Sequence, residues 1–435
     1  MGFRSGFVST YLDPLAVDAE INAIVTAHPG LCRLETLPHR SHGYFGTRVD
    51  TRGKHPMHLL RITASDGARP KAAVLLMRSH HAREWINALA VVETARQLVE
   101  NYRPDDPDPT VAMVVRILDR VEILIVPESN PDGARLSFYD QGRRMWRKNL
   151  RPTPRPACPG VDCNRNFPRY FGAEGSSATH CADVYHGPAA LSEPETANVA
   201  HIATAERSLL FAIDSHSHGQ AVFRPNPAGG TYISSLPVSP EDEAIYQHLE
   251  TRMVNAMAQV DGTRYSTGTT SNHAGTTDEY LFFDHHIFVF DLECAQEFQP
   301  PIAQAITAAL EVAAAVRSLG WCAAGETGLD IAKLLQQRTA VTDIPQSPSP
   351  IAPVSDEPYY VEPLPERQWP RLLVHAELAA GTTPEKQAQA LLDEGFDLEL
   401  SPDRRHAEII ASAEDLEELR RLGYSPVVVR DLLQH

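Results

Sequence analysis

A short apolar run followed at once by a helical pattern is the feature that most constrains how this chain folds. Residues 71–77 read Lys-Ala-Ala-Val-Leu-Leu-Met, which is typical of a buried strand. From residue 84 to about 102 the apolar residues recur at helical spacing. The polar stretch 79–85, Ser-His-His-Ala-Arg-Glu-Trp, is therefore predicted where a strand ends and a helix begins, the place where open α/β sheets build their sites.

The same alternation of strands and helices continues to about residue 320. Further elements are predicted as strands at 32–37, 57–63, 121–127, 209–215 and 287–293, and as helices at 11–28, 193–205, 240–260 and 302–319. Asn-Pro-Asp-Gly at 130–133 indicates a turn, and the polar stretch 140–190 indicates a long loop of the kind that is often functional. Strands separated by helices predict an α/β fold with a mostly parallel or mixed sheet.

The composition changes after residue 325. Residues 339–370 contain eight prolines and no hydrophobic periodicity, so we predict an extended linker over 326–370. Beyond it the elements follow the order βαββαβ, which predicts a small domain of the split-βαβ, ferredoxin-like type. We therefore divide the chain into a main domain (1–325), the linker and a C-terminal domain (371–435).

Charge and composition exclude several classes of partner. A formal net charge of −17 and a pI near 5.5 argue against nucleic acid and anionic membranes, which attract basic patches. No apolar run of membrane-spanning length is apparent, and the N-terminal residues do not resemble a secretory signal. We expect a cytoplasmic location from these features, with export left open. The six cysteines do not have the spacing of a metal knuckle.

His81 and Glu84 have the His-x-x-Glu spacing that can place an imidazole and a carboxylate on one metal ion. Such nitrogen and oxygen donors suit zinc, and two of them leave room for a third ligand and for water. The spacing alone is common by chance, and the alternative interpretation is that His80 and His81 are ordinary loop histidines.

The flanking residues favour the metal-ligand interpretation over that of ordinary loop histidines. The stretch 79–85 resembles the first metal motif of the zinc metallocarboxypeptidases of the carboxypeptidase A type. His216, in Ile-Asp-Ser-His-Ser-His at 213–218, resembles the remaining zinc ligand of that family. The resemblance implies one zinc ion per chain, held by His81, Glu84 and His216. It also implies a carboxypeptidase-like mixed sheet with helices on both faces.

Two further segments resemble the family's substrate-binding motifs. Arg-Arg-Met-Trp-Arg-Lys-Asn at 143–149 resembles the segment whose arginine polarises the scissile carbonyl, which implies that role for Arg147. Val-Asp-Cys-Asn-Arg-Asn at 161–166 resembles the motif that binds the terminal carboxylate. The resemblance implies that Asn164 and Arg165 bind this carboxylate, with help from Arg83.

The general base is expected at the end of the strand near residue 290. Asp291 and Glu293 are two residues apart and so point to the same face. We prefer Glu293 as the base, with Asp291 as the alternative, and expect the other carboxylate to line the side-chain pocket. By the same resemblance, Asp278 falls near the position that sets side-chain preference in the family, and with Asp291 it would form an acidic pocket that prefers C-terminal Lys or Arg.

One position departs from the family pattern. A tyrosine is expected where this chain has Ser271, and His273 or Tyr265 are the candidates to replace it. Cys158 and Cys181 lie at positions that resemble a disulfide of some family members.

The resemblance implies a metallocarboxypeptidase that acts on peptides with a free C-terminal carboxylate. Two alternatives stay open: a related zinc amidohydrolase acting on cell-wall or γ-glutamyl peptides, and a non-catalytic zinc- or peptide-binding protein. The C-terminal domain resembles a carboxypeptidase pro-segment. It is open whether this domain acts as a folding aid, an inhibitory cap or a docking module, is a passive accessory, or contacts the main domain or another protein.

Overall fold

A computed structural model of the protein describes residues 2–46, 48–64, 71–155, 157–173, 175–225, 238–270, 273–341, 372–378, 383–400 and 405–432. In this part of the chain, eight strands of the main domain form one sheet in the order β1-β2-β4-β3-β5-β8-β6-β7. They are β1 Cys32–Thr36, β2 His58–Ile62, β3 Ala72–Arg78, β4 Val121–Val126, β5 Leu209–His216, β6 Ala221–Arg224, β7 Ser266–Thr269 and β8 Phe288–Glu293.

The centre of the sheet is parallel and its flanks are mixed. β3 is parallel to both β4 and β5, and β5 is parallel to β8, whereas β2 and β6 join this centre antiparallel. Every residue of β3 and β5 is buried, as expected for strands covered by helices on both faces. The carboxyl ends of β3, β5 and β8 therefore lie side by side at one edge of the sheet.

The helices of the main domain cover this sheet. They are α1 Pro14–Ala27, α2 Ile86–Glu100, α3 Pro109–Arg120, α4 Pro131–Tyr139, α5 Pro194–Ala205, α6 Pro240–Asp261, the single turn α7 Thr277–Glu279, α8 Ile302–Ala323 and α9 Ile331–Ala340. By length and composition α8 could cross a membrane, which corrects the expectation that no run reaches that length. It packs against α2 and α6 as a core helix, and the predicted mixed α/β fold is confirmed.

One difference from the sequence prediction has a local cause. Residues 130–133 begin helix α4 instead of a turn, because the Asn130 side chain accepts a hydrogen bond from the Gly133 amide at 2.9 Å and Pro131 occupies the first helical position. The residue types that build turns also cap helices. Helix α3 and the four-residue strands β6 and β7 were not predicted.

The C-terminal domain contains the predicted order of elements. These are β9 Leu372–Glu377, α10 Pro384–Glu394, β10 Asp397–Leu400, β11 His406–Ala411, α11 Ala413–Arg421 and β12 Val427–Asp431. The four strands form an antiparallel sheet in the order β10-β11-β9-β12, and the ferredoxin-like type stays a prediction. Val374, Leu391, Ile409 and Leu419 are buried in its core.

The prediction of an extended linker over 326–370 is wrong for residues 331–340. These residues form helix α9, which contacts β5 and buries Leu334 and Arg338. The proline-rich residues 342–370 lie outside the described residues, as does Ser271. The structure joins Cys158 and Cys181 in a disulfide, the pairing that the resemblance implied.

A buried ion pair ties α5 to the loop that carries Arg147. His42 Nε2 lies 2.8 Å from Glu193 Oε2, which also accepts a hydrogen bond from Asn149 at 2.8 Å. Burial by itself would raise the pKa of Glu193, but the hydrogen bond and charge of His42 outweigh it and lower this pKa to about 2.

We expect His42→Ala to lower the free energy of unfolding by about 3 kcal/mol, because it leaves a buried carboxylate with fewer partners. Because the pKa of Glu193 is lower in the folded state, its contribution is fully present above the unfolded value of about 4.3. It is lost as the pH falls toward about 2. Urea unfolding at pH 6 and pH 3 measures both effects. His201→Ala, which alters an exposed histidine of α5, is the control; an equal loss in both variants would contradict the assignment.

Candidate active site

Three neighbouring strand ends carry the candidate metal ligands and the candidate base. His81 and Glu84 lie in the turn between β3 and α2, and His216 is the last residue of β5. Glu293 ends β8 and is directly opposite His216 in the parallel register. Residues separated by more than a hundred positions in the chain thus meet because parallel strands end at the same edge of the sheet.

The ligand atoms of the three predicted metal ligands, His81, Glu84 and His216, lie close together. His81 Nδ1 lies 2.7 Å from Glu84 Oε1 and 3.1 Å from His216 Nδ1, and His216 Nδ1 lies 3.2 Å from Glu84 Oε2. Metal–ligand bonds of about 2.0–2.2 Å in a tetrahedral zinc site separate the ligand atoms by about 3.4 Å. The donor set and its spacing therefore fit zinc, with small adjustments of the side chains.

The electrostatics of this cluster favour a cation. Burial would raise the pKa of Glu84, but the charges of His81 and His216 hold it well below its usual range. Burial would lower the pKa of His216, but Asp291, Asp214 and Glu84 raise it well above its usual range. The carboxylates thus stabilise positive charge at His216, and a bound divalent ion would take the place of that proton.

Carboxylates behind the histidines orient them. His81 Nε2 lies 3.2 Å from Asp162 Oδ1, and His216 Nε2 lies 3.2 Å from Asp214 Oδ2. A proton on the outer nitrogen of each ring leaves Nδ1 free as a ligand atom, the usual device of histidine metal sites. No role was predicted for Asp162 or Asp214, although they lie inside the motifs at 161–166 and 213–218.

Arg147 is joined to the same network. It is buried, and its Nε donates to Asp162 Oδ2 at 2.9 Å. Burial would lower its pKa, but the charges of Asp162, Asp397 and Glu84 raise this pKa instead, so the guanidinium stays charged. Asp162 therefore fixes the position of both a candidate metal ligand and the candidate oxyanion-binding arginine.

Asn164 and Arg165 are also buried and fixed. Asn164 Oδ1 accepts hydrogen bonds from the Thr277 amide at 2.9 Å and the Thr277 hydroxyl at 3.0 Å. Arg165 donates through Nε to the Gly175 carbonyl at 2.7 Å and through Nη1 to the Asn164 carbonyl at 2.6 Å. These contacts hold both side chains of the 161–166 loop in one orientation.

Of the two candidates for the expected tyrosine, His273 is the one on which the site's arginines act. Burial is the largest cause that holds the pKa of His273 well below its usual range, and the charges of Arg165 and Arg147 lower it further. Tyr265 is buried, and its hydroxyl donates to Glu311 at 2.6 Å. It is therefore occupied elsewhere.

Asp291 and Glu293 lie close to His216, and the charge of Asp278 acts on Asp291. One ligand atom from each of His216, Asp291 and Glu293 lies within 4.8 Å of the others, and Asp291 Oδ1 is 4.0 Å from His216 Nε2. Burial chiefly, followed by the charges of Asp214 and Asp278, raises the pKa of Asp291 to about 8. Burial raises the pKa of Asp278 too, although its carboxylate accepts a hydrogen bond from Thr270 at 2.9 Å.

Arg83, a predicted substrate-binding residue, is bound to the C-terminal domain. Its Nη1 donates a hydrogen bond to Asp397 Oδ2, at the first residue of β10, and both side chains are buried. The guanidinium also lies 4.3 Å from the ring centroid of Phe298, and Nη1 lies 3.9 Å from Asp183 Oδ2. A carboxylate of the same chain thus occupies this arginine.

A comparison with protein families decides the class of this chain. The profile described as zinc carboxypeptidase matches residues 19–315, more than half of the 435 residues. The chain belongs to the zinc carboxypeptidase family. The matched region includes His81, Glu84, His216, Arg147 and Glu293, and it ends before the C-terminal domain.

Similar proteins agree with this membership. Carboxypeptidase A4 of Mus musculus is 32% identical over 222 residues, which cover 51% of this chain and 49% of that protein. Metallocarboxypeptidase A of Trichophyton rubrum is 34% identical over 240 residues, 53% of each chain. The chain thus spans about half the length of these curated relatives.

Solved structures show that the fold is shared. The crystal structure of thrombin activatable fibrinolysis inhibitor matches with a TM-score of 0.62 and 23% identity, over 73% of this chain and 75% of that one. Carboxypeptidase A from Helicoverpa armigera matches with a TM-score of 0.60 and 21% identity, over 73% and 74%. This family member therefore has a carboxypeptidase-like main domain.

Proposed function

We propose that the protein is a zinc-dependent carboxypeptidase that hydrolyses the C-terminal peptide bond of peptides. The observation that carries the proposal is the convergence of His81, Glu84 and His216 at one edge of the sheet. Arg147 and His81 are moreover held by the same carboxylate, Asp162. A non-catalytic zinc-binding protein does not need a buried arginine placed beside its metal ligands.

His81, Glu84 and His216 would hold the zinc ion, which supplies a Lewis acid that polarises the substrate carbonyl and activates water. Glu293 takes a proton from the attacking water and passes it to the leaving amine. Arg147 places a fixed positive charge beside the oxygen that becomes negative in the transition state. Such a charge is most effective in a water-excluded site, and Arg147 is buried.

Binding of the terminal carboxylate separates an exopeptidase from an endopeptidase. We assign this role to Arg165 and Asn164, whose orientation is fixed by contacts with Gly175 and Thr277. An arginine and an amide can form several hydrogen bonds to one carboxylate, which an internal peptide group cannot accept in the same way.

We also propose a preference for C-terminal Lys or Arg. Its support is that the charges of Asp278 and Asp214 raise the pKa of Asp291, after burial as the largest cause. A cationic substrate side chain would relieve this repulsion between carboxylates, whereas an apolar side chain would not. Faster release of Phe than of Arg from matched peptides would contradict the preference.

A panel of N-blocked dipeptides tests the proposed activity. We expect release of the last residue from substrates with a free carboxylate and at least about 100-fold slower release from C-terminal amides, since a buried binding group is left unpaired. Chelation should abolish activity, and added zinc should restore it.

Adding γ-glutamyl and cell-wall peptides to the same panel tests the two alternative functions. Turnover of γ-glutamyl or cell-wall peptides in preference to ordinary dipeptides would favour the amidohydrolase. Zinc binding without turnover of any member would favour a binding protein, and either result would contradict the proposal.

For the C-terminal domain we propose the role of an inhibitory cap. The support is the buried contact of Asp397 with Arg83, a residue that the family resemblance assigns to substrate binding. Burial would raise the pKa of Asp397, but the charge and hydrogen bond of Arg83 lower it, and the charges of Arg147 and His81 lower it further. A substrate and this carboxylate would therefore compete for the same positive charges.

Further contacts between the C-terminal domain and the main domain support a docked position of the cap. Gln389 of α10 exchanges hydrogen bonds with the Gly175 amide at 2.9 Å and the Ser176 carbonyl at 3.1 Å. Val184 lies in the hydrophobic cluster of the C-terminal domain, and Ile410 packs with Met145 and Phe298 of the main domain. The contact surface is thus apolar as well as ionic.

For location, the Cys158–Cys181 disulfide favours an oxidising compartment over the cytoplasm that the N-terminal residues indicated. Disulfides persist in such compartments and are rare where thiols are kept reduced. Mass analysis of the native protein without reductant tests the pairing.

A further inference from the structure

A second cluster of metal-binding side chains lies in the sheet of the C-terminal domain. His375 of β9 is directly opposite Glu408 of β11, and His406 precedes Glu408 by two residues on the same strand. Residues two apart on a strand face the same side of a sheet. Their neighbours Val374, Ala376 and Ala407 are buried on the other face, so the three polar side chains share the outer face.

The ligand atoms of this cluster are already near one another. Glu408 Oε1 lies 3.6 Å from His375 Nε2 and 3.8 Å from His406 Nε2, and the two imidazole centroids are 4.2 Å apart. Bonds of about 2.0–2.2 Å to one tetrahedral zinc ion require about 3.4 Å between ligand atoms. Shifts of a few tenths of an ångström in the ligand atoms, produced by small side-chain rotations, would satisfy that requirement.

Access and charge also suit a cation. The side chains of His375, His406 and Glu408 are 35%, 25% and 30% exposed, so an ion can reach them from solvent while the strands hold them in place. Glu377 lies opposite His406 in the register and on the same face of β9. It adds a second carboxylate beside the imidazoles.

We propose that His375, His406 and Glu408 form a second divalent-metal site, of the zinc class, that joins strands β9 and β11. Two imidazoles and one carboxylate are a ligand set typical of zinc, and water or Glu377 completes the coordination. The site is separate from the proposed catalytic zinc site and does not depend on the activity proposed for it.

The size of the C-terminal domain gives such a site a purpose. Domains of about 60–70 residues bury small cores and often use a metal or a disulfide as an additional cross-link. An ion on two central strands binds the folded sheet and not the unfolded chain, so it stabilises the domain by mass action. Leu373 and Ile410, which pack near Met145 and Phe298, lie on these same two strands. The metal therefore supports the strands that contact the main domain.

Zinc stoichiometry of the full chain tests the proposal. Metal-free protein is equilibrated with zinc chloride, desalted and analysed for zinc by mass spectrometry. We expect the His375→Gln/His406→Gln double variant to bind one zinc ion fewer than the wild type. The control His201→Gln, which alters an exposed histidine outside the cluster, should bind as many ions as the wild type.

A conservative variant guards against a folding defect in the double variant. Glu408→Gln keeps the shape of the side chain but removes a direct ligand. Loss of a residue that only supports a metal ligand lowers metal affinity by about 10–100-fold, and we expect Glu408→Gln to lower the affinity for the second zinc ion by more than that. An unchanged affinity for both ions in Glu408→Gln would overturn the proposal, as would equal stoichiometry of the wild type and the double variant. Failure of the catalytic site to bind zinc would lower both stoichiometries by one and leave their difference intact.

Discussion

Replacing Glu293 by Gln is expected to lower kcat by about 10²–10⁴-fold, because the amide cannot accept the proton of the attacking water. Gln has the same shape as Glu, so the substrate's KM should change little. The zinc content should also stay constant, since the three proposed ligands, His81, Glu84 and His216, are unchanged. Steady-state kinetics on the preferred blocked dipeptide, together with zinc analysis, measures all three quantities.

Asp291→Asn is the matched control, because Asp291 lies on the same face of β8 two residues earlier. Asp291 is opposite Asp214 in the register and lies two residues before the end of β8. Glu293 ends the strand and is opposite His216. We therefore expect Asp291→Asn to alter the preference between C-terminal Arg and Phe while largely preserving kcat. If Asp291→Asn abolished turnover and Glu293→Gln preserved it, the two roles would have to be exchanged.

Replacing Asp397 by Asn is expected to raise kcat/KM about tenfold or more. In the docked state this change leaves the buried Arg83 guanidinium without its ionic partner in the C-terminal domain. Loss of one partner of a buried pair costs about 3–5 kcal/mol, which would shift docking by about 100-fold or more. The undocked state pays no such penalty, because Arg83 can be hydrated there.

Glu394→Gln is the control for the Asp397 variant, since it removes an exposed carboxylate of the same domain. It should leave kcat/KM unchanged. Hydrogen exchange over residues 175–184, which include contacts with the C-terminal domain, reports undocking independently of activity. Faster exchange in Asp397→Asn with unchanged kcat/KM would refute the inhibitory role while confirming the weakened contact.

Local patterns in the sequence determined much of the proposed metal site. His81 and Glu84 follow a strand whose seven residues are all buried, and His216 ends another such strand. Both strands could be read from apolar runs, because a strand covered on both faces must be apolar throughout. The order of elements in the C-terminal domain was likewise legible from alternating patterns and turn residues.

Other features had no local signal of their own. Asn130-Pro-Asp-Gly caps helix α4 although it has the composition of a turn, and helix α9 lies in a stretch assigned to a linker. In both cases the neighbouring parts of the fold decide between conformations that the local sequence permits. Leu334, for example, is buried among residues of the main core.

The sequence by itself determined which residues can bind zinc and where strands and helices alternate, since these follow from side-chain chemistry and short-range periodicity. Only the tertiary structure decided that Asp162 holds both His81 and Arg147, and that Asp397 meets Arg83 across 314 positions of the chain. Contacts of this kind depend on how whole elements pack, because the local sequence around a carboxylate does not indicate which distant arginine it will contact. The register of His375 with Glu408 is likewise set by strand pairing.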